Sequence, residues 1–403
     1  PFSGREVFEG AAGDLQHRLE KSIREFKADA FWTHNATLGK NPAVTEALFR
    51  LVHNNPDLRV LYHLHDLAEC SRYGNLENLH HCCGSGGGVT RLYPHSPNLT
   101  IITLTESDRQ RLLAAGYPEE DVRVLPDPVV RSSQAAPFDP SQRRHFEQVL
   151  SEWSRRQGFS FQPNSKWLLA PIRTIRRKNT LEMALLQRLL GPEWNLLITL
   201  GSNSEPERPY ADAVAECLQR ESVQATLGFG KVLIGRRFPF DRLYASAEAV
   251  TTTSVLEGFG LMFAESALLG RPLIGRDLPD VTREMPGLPR RGLYEALKVP
   301  VSQAERRALL EQYRDKVNRR GEPLGVSKDV CERAISEMES IFKETTVDFS
   351  FLDLPAQCRA IHRSADPAYL RDIRQASPEV STILDSELGA PDENEKQQLG
   401  EHL

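Results

Sequence analysis

The sequence predicts an α/β protein of two blocks built on parallel sheets, the second a doubly wound domain. Three observations carry this reading. Short Leu-, Ile- and Val-rich runs alternate with amphipathic stretches over 28–126, and the alternation resumes over 166–275. Between the two blocks lies a polar segment bracketed by Pro128, Pro137 and Pro140. The chain is 403 residues long, enough for two to three domains at about 150 residues each.

In the first block Leu15, Leu19, Ile23 and Phe26 share one stripe of a helix over 14–26. ADAFWTH (28–34) reads as a strand, AVTEALFRLVHN (43–54) as a helix and DLRVLYHLH (57–65) as a strand. Residues 70–99 read as a loop, with GSGGG at 84–88 and breakers at Pro94 and Pro97. LTIITLT (99–105) reads as a strand, ESDRQRLLAAG (106–116) as a helix stopped by Gly116, and VRVLP (122–126) as a strand. A polar helix over 141–157 belongs to the connection, with Arg143, Arg144, Arg155 and Arg156 on a solvated face. In the second block KWLLAPI (166–172), NLLITLG (195–201), KVLIG (231–235), AEAVTTT (247–253) and PLIG (272–275) read as strands. The stretches 179–190, 208–220, 240–247 and 261–269 between them read as helices, and two more are expected near 302–318 and 326–344. The expected organisation is 1–135 for the first domain, 136–165 for the connection, 166–345 for the second domain and 346–403 for a tail. Phe349, Phe351 and Leu352 are expected to pack that tail on the body. Its acidic end, DENEKQQLGEHL, reads as disordered.

Composition narrows the function. Apolar residues are 40% and charged residues 26%, which excludes a wholly disordered or fibrous chain. Fifty Lys plus Arg against 55 Asp plus Glu give a net charge of −5, so no large basic surface for nucleic acid is indicated. No apolar run approaches the ~20 residues of a membrane helix. The start, PFSGREVFEG, lacks a basic n-region and an apolar h-region, so no secretory signal is read, and without an initiator Met the chain reads as a fragment or a processed form. Cys70, Cys82, Cys83, Cys217, Cys331 and Cys358 are scattered like reduced thiols, which points to a disulfide-free cytoplasmic protein. His80, His81, Cys82 and Cys83 lack the spacing of a structural zinc site, and no metal is expected. GSGGGVT (84–90) lacks the G-K-[ST] of a P-loop; a flexible loop is the default reading, and closure over an acceptor the lesser one.

Two turns carry chemistry. In PIRTIRRKNTLE (171–182) Arg173 ends a strand and Lys178 precedes a helix that Asn179 and Glu182 are placed to cap. Ligands of open parallel sheets bind outside the carboxyl ends of the strands. Two cations and a helix start there suit a diphosphate, and fixed cations stabilise a leaving diphosphate as its charge grows. Arg176 and Arg177 are assigned to the surface. In TTTSVLEGFGLMFAESALLG (251–270) a β-branched strand runs into Glu257-Gly258-Phe259-Gly260 and then a helix. Gly258, Leu261 and Glu265 fall on one helical face, so backbone amides and a carboxylate can meet one ligand. A carboxylate is a natural acceptor for a ribose diol.

The spacing Glu257-x7-Glu265 within S-x-x-E-G-F-G-L-x-x-x-E resembles the E-x7-E signature of retaining GT-B glycosyltransferases of family 4. Arg173-x4-Lys178 sits where that family carries its diphosphate-binding Arg and Lys, and GRPLIGRDLPDV (270–281) resembles the segment after its E-x7-E helix. The resemblance is specific over about 166–290. It implies a GT-B fold, two Rossmann-like domains facing a cleft, with a nucleotide-sugar donor held mainly by the second. Arg173 and Lys178 would hold the pyrophosphate and assist its departure. Glu265 would take the ribose hydroxyls and Glu257 would face the donor sugar. Gly258, Phe259, Gly260 and Leu261 would offer backbone amides. The activity implied is hexosyl transfer to a hydroxyl acceptor with retention, needing neither metal nor cofactor.

LYHLHDLAE (61–69) resembles the family's strand-end histidine near the anomeric carbon; His65 is the first choice for a catalytic group and His63 the second. VRVLPDPVV (122–130) resembles the family's V-x-x-I-P-N-P-V, with Asp127 in place of Asn. Gly39, Lys40 and Asn41 in HNATLGKNP (34–42) are weaker candidates for an acceptor or donor phosphate, weighed against a plain turn. The family's opening strand and glycine-rich turn have no counterpart in 1–27, so the first domain reads as lacking its opening strands and its independent activity is in question. A small soluble acceptor is favoured. The alternatives are a GT-B phosphorylase, a nucleotide-sugar epimerase, or a non-catalytic sugar- or nucleotide-binding scaffold.

Overall fold

The computed structural model describes residues 4–70, 72–84, 91–129, 136–321 and 323–402. The chain divides into two compact units, Pro1–Asp127 with Glu311–Glu339, and Pro128–Leu310 with Ser340–Leu403. Each is an α/β unit around a parallel sheet.

In the first unit β1 (Ala30–His34), β2 (Arg59–Leu64), β3 (Leu99–Thr103) and β4 (Val122–Val124) lie side by side in that order. Helix Pro42–Asn54 packs Leu48, Leu51 and Val52 into the core beside Val60, Tyr62 and Ile101. It starts where Asn41 Oδ1 accepts from the Ala43 amide at 3.0 Å and Pro42 fills the first turn. The first helix runs Arg5–Phe26, longer than its sequence stripe, with Phe8 and Ala12 buried. Part of the expected loop is instead helix Tyr73–Cys83, which buries Leu76 and Leu79. Two buried leucines among polar residues and Gly74 make too short a stripe to read from sequence. Ser85–Thr90 of the glycine-rich stretch lie outside the described residues.

The second unit holds a six-stranded parallel sheet. Its strands are β5 (Lys166–Arg173), β6 (Trp194–Leu200), β7 (Ala225–Leu227), β8 (Ala249–Thr252), β9 (Leu273–Arg276) and β10 (Leu293–Tyr294), in the order β10-β9-β8-β5-β6-β7. From β5 the chain winds out to β6 and β7, then returns to β8 and winds the other way. The order therefore reverses between β5 and β8, where Leu168 pairs with Ala249 and Leu169 with Val250. That reversal is the point at which an open α/β sheet leaves a crevice at its carboxyl edge.

Several expectations are corrected here. KVLIG (231–235) is not a strand: Gly230–Leu233 is one helical turn, and Ala225–Leu227 fills the sheet position. Strand propensity follows packing, and the shorter segment is the one the sheet buries. Helix Pro140–Arg156 is not a loose connector. An Asp139–Gln142 capping box starts it, and Phe146 and Leu150 sink into the core against Trp167 and Phe229. Arg143 is off the solvated face: its guanidinium lies 4.2 Å from the Trp167 ring centre and donates to Glu248 Oε1 at 2.8 Å. Arg144, Arg155 and Arg156 are exposed.

The tail is ordered as helices Leu354–Arg363, Pro367–Ala376, Pro378–Asp385 and Glu393–His402. Its polar end hides one fully buried anchor, Leu399, and is pinned by Arg291 to Glu395 at 2.6 Å. Phe349 and Leu352 are buried as expected, but Phe351 is exposed. Among the described residues no helix is long and apolar enough to cross a membrane.

Candidate functional site

The ends of β5 and β8 meet at the reversal of strand order. Past β5 the chain makes a 3-10 turn, Arg176–Lys178; past β8 it runs through Thr253 and Ser254 to Glu257. The two turns are stitched together. The Val255 amide donates to the Arg177 carbonyl at 2.9 Å, and the Thr253 hydroxyl to the carbonyls of Lys178 and Asn179 at 3.1 and 3.0 Å. Lys178 Nζ pairs with Glu257 Oε1, and Arg177 Nη1 donates to Glu257 Oε2 at 2.6 Å and to the Leu256 carbonyl at 2.7 Å. The Glu257 side chain is only 9% exposed. Burial pushes its carboxyl up, but Lys178 and Arg177 outweigh burial and hold it below the usual carboxylate range. Burial pushes Lys178 down; Glu257 opposes this, while Arg177 and Arg173 add to it.

Arg177, assigned to the surface from sequence, is thus a half-buried partner of Glu257. A run of consecutive arginines carries no signal of which one turns inward. Arg173, at the end of β5, is 40% exposed and lies 3.9 Å from Glu207. Its charge is felt at Lys178, so three cations gather at one strand end.

A buried polar network supports the turn. Asn179 and Glu182 do not form the expected capping box. Asn179 adopts a left-handed conformation with φ 48°, and its amide donates to Glu182 Oε2 at 2.6 Å. Glu182 is fully buried and accepts from Arg276 at 2.7 Å and from the Tyr294 hydroxyl at 2.8 Å. Arg276 also donates to Asp348 at 2.9 Å, and Gln357 donates to Asn179 Oδ1 at 2.9 Å. Arg276, Tyr294, Asp348 and Gln357 had no role in the sequence reading, because their partners are remote in the chain.

In the acidic turn Phe259 is buried, and Gly260 has φ 77° as it opens helix Leu261–Leu268. The first N–H groups of such a helix have no partner within it. Gly258 is half-buried and Leu261 exposed. Glu265 is half-buried one turn on and makes no ion pair among the described residues; burial raises its carboxyl.

The remaining candidates lie in the first unit. His65 follows the end of β2, with its side chain 29% exposed and its amide donating to Asn35 Oδ1 at 3.1 Å. His65 Nδ1 stands 3.5 Å from Asp127, and Nε2 stands 3.0 Å from His34 Nδ1. His63 is buried, with Nε2 on the Leu125 carbonyl at 3.1 Å, and burial lowers its pKa. His34, at the end of β1, and Asp127, just past β4, carried no signal of this meeting. Asn41 is used as a helix cap, Gly39 is buried against Leu79 and Leu92, and Lys40 is exposed. His80 to Cys83 sit on helix Tyr73–Cys83, where burial pushes the Cys83 thiol up to about 11.

The site can be set beside known proteins. Mannosylglucosyl-3-phosphoglycerate synthase of Petrotoga mobilis is 30% identical over 371 residues, spanning 91% of this chain and 69% of that protein. This chain belongs to the GT-B glycosyltransferases, in the family of that synthase. Among solved structures, apo OtsA matches with a TM-score of 0.50 at 11% identity, over 98% of this chain and 77% of that one. A structure of trehalose-6-phosphate from E. coli bound with UDP-2-fluoro glucose matches with a TM-score of 0.50 at 12% identity, over 96% and 80%. At such identities the likeness is one of fold. No protein-family model matches the chain. The protein is a glycosyltransferase, and its strand-order reversal is where this fold leaves room for a ligand.

Proposed function

We propose that this glycosyltransferase moves a hexosyl group from a nucleoside-diphosphate sugar to a hydroxyl acceptor, with retention and without a metal on the diphosphate. The observation that carries the reading is the pairing of Lys178 and Arg177 with Glu257 at the β5–β8 reversal, with the charge of Arg173 reaching Lys178. Lys178 and Arg173 take the diphosphate, with Arg177 holding Glu257 in place. Glu265, raised by burial and without an ion-pair partner among the described residues, accepts the ribose hydroxyls. The amides of Gly258 to Leu261 face sugar and phosphate, and Glu257 faces the sugar. In the transfer the bond from the anomeric carbon to phosphate oxygen breaks and a bond to the acceptor oxygen forms on the same face. The acceptor proton passes to the departing phosphate oxygen, whose charge the cations meet. His65 is the proposed group at the reacting carbon.

The relative's name describes a mannosylated glucosyl-3-phosphoglycerate. We carry over from it a mannosyl donor and a small anionic glycoside as acceptor, with family 4 as the proposed placement and the cytoplasm as the proposed compartment. The test is turnover of GDP-mannose with glucosyl-3-phosphoglycerate in EDTA, with the anomeric configuration of the product read by NMR. An inverted product overturns the retaining mechanism. Binding of inorganic phosphate and a sugar 1-phosphate in place of nucleotide favours a phosphorylase.

A further inference from the structure

The first unit carries a cluster that donor binding does not use. β1 and β2 run parallel with His34 opposite His63, and His65 follows directly after β2. One ring nitrogen from each histidine lies within 4.8 Å of the other two. Their partners sort the nitrogens. His63 Nε2 faces the Leu125 carbonyl and must carry the proton, which leaves Nδ1 as a bare acceptor. That Nδ1 is buried and has no hydrogen-bond partner. His65 turns Nδ1 to Asp127 and Nε2 to His34 Nδ1.

A hydrogen bond between His34 and His65 satisfies those two rings but leaves the buried His63 nitrogen unmet, at the cost of an unsatisfied polar group. A cation answers all three. Histidine ligands are oriented when the other ring nitrogen rests on a carbonyl or a carboxylate, as at His63 and His65. With metal–nitrogen bonds of about 2.0–2.1 Å, tetrahedral nitrogens lie about 3.4 Å apart; His34 Nδ1 and His65 Nε2 stand 3.0 Å apart, and one nitrogen of each ring falls within 4.8 Å of the others. Imidazole donors select zinc-like ions over magnesium or calcium. We propose that His34, His63 and His65 form a site for a divalent transition-metal ion of the zinc class, with Asp127 orienting His65.

The ion would engage the same His65 ring that transfer uses, so the test reads binding without turnover and stands apart from the donor reading. The full chain, freed of metal, is titrated with Co²⁺, and its visible absorption is followed until Zn²⁺ displaces it. The expected result is one saturable site with the intense bands of low-coordinate cobalt. His34→Gln and His63→Gln each weaken binding at least about a hundredfold, and Asp127→Asn about tenfold. His34 is exposed, so its variant keeps the fold, checked by its melting curve. Absence of a saturable site, or equal Co²⁺ affinity in folded His34→Gln and wild type, overturns the proposal.

Discussion

At the residue scale, the account rests on one buried carboxylate and the cations around it. Removing Glu257 leaves Lys178 and Arg177 facing each other with little water. Glu257→Ala is therefore expected to cost about 3 kcal/mol of stability, measured by urea unfolding. The sign of its pH dependence follows from the direction of its shift. Its folded pKa lies below the ordinary 4.5, so the folded chain binds fewer protons there than the unfolded one. Its contribution is present above that range and lost as pH falls through the lowered value, and Glu257→Gln should flatten this acid limb. Glu265 behaves oppositely: burial raises its pKa above 4.5, so nucleotide affinity should fall as pH drops through the raised value. Glu265→Gln should abolish that limb in a calorimetric pH series. Lys178 and Glu257 could be singled out in the sequence because each follows a strand and precedes a helix, and Glu265 because it falls one turn into the helix after Glu257. Arg177 was not, since nothing in Arg176-Arg177-Lys178 says which side chain turns toward Glu257.

At the element scale, close backbone approaches fix the turns. Gly260 holds φ 77°, and a Cβ there would meet Val281 at 2.6 Å. Gly275 in β9 sits so near β8 that a Cβ would lie 1.9 Å from the Thr252 carbonyl. Gly260→Ala should cost at least about 1–2 kcal/mol from the left-handed backbone alone, and Gly275→Ala should force the two strands apart. Both are checked by thermal unfolding, with Gly10→Ala, which has open space inside helix Arg5–Phe26 and should not lower stability, as the control. The network around Glu182 predicts that Arg276→Met, which strands a buried carboxylate, costs about 3–5 kcal/mol. The strands at 166–173, 194–200 and 249–252 were readable because apolar runs bounded by turns mark buried parallel strands. Ala225–Leu227 and the helix Glu393–His402 were not, because a three-residue strand has no period and one buried leucine makes no stripe.

At the scale of the whole molecule, the sequence shows two α/β blocks but not which distant segments join each. Glu311–Glu339 belongs with the first unit and the tail with the second, and no local pattern announces long-range packing of this kind. The reversal of strand order is likewise a property of the assembled sheet, yet it brings the basic and acidic turns to one place. The central claim is that a nucleoside diphosphate binds there on protein cations. The direct measurement is calorimetric titration of the full chain with UDP, GDP and ADP in EDTA, repeated with Lys178→Ala and Glu265→Ala. The account predicts that one diphosphate binds and that each variant, still folded, weakens it at least about tenfold, or 1.4 kcal/mol. Binding of none of the three, or unchanged affinity in both folded variants, would contradict it.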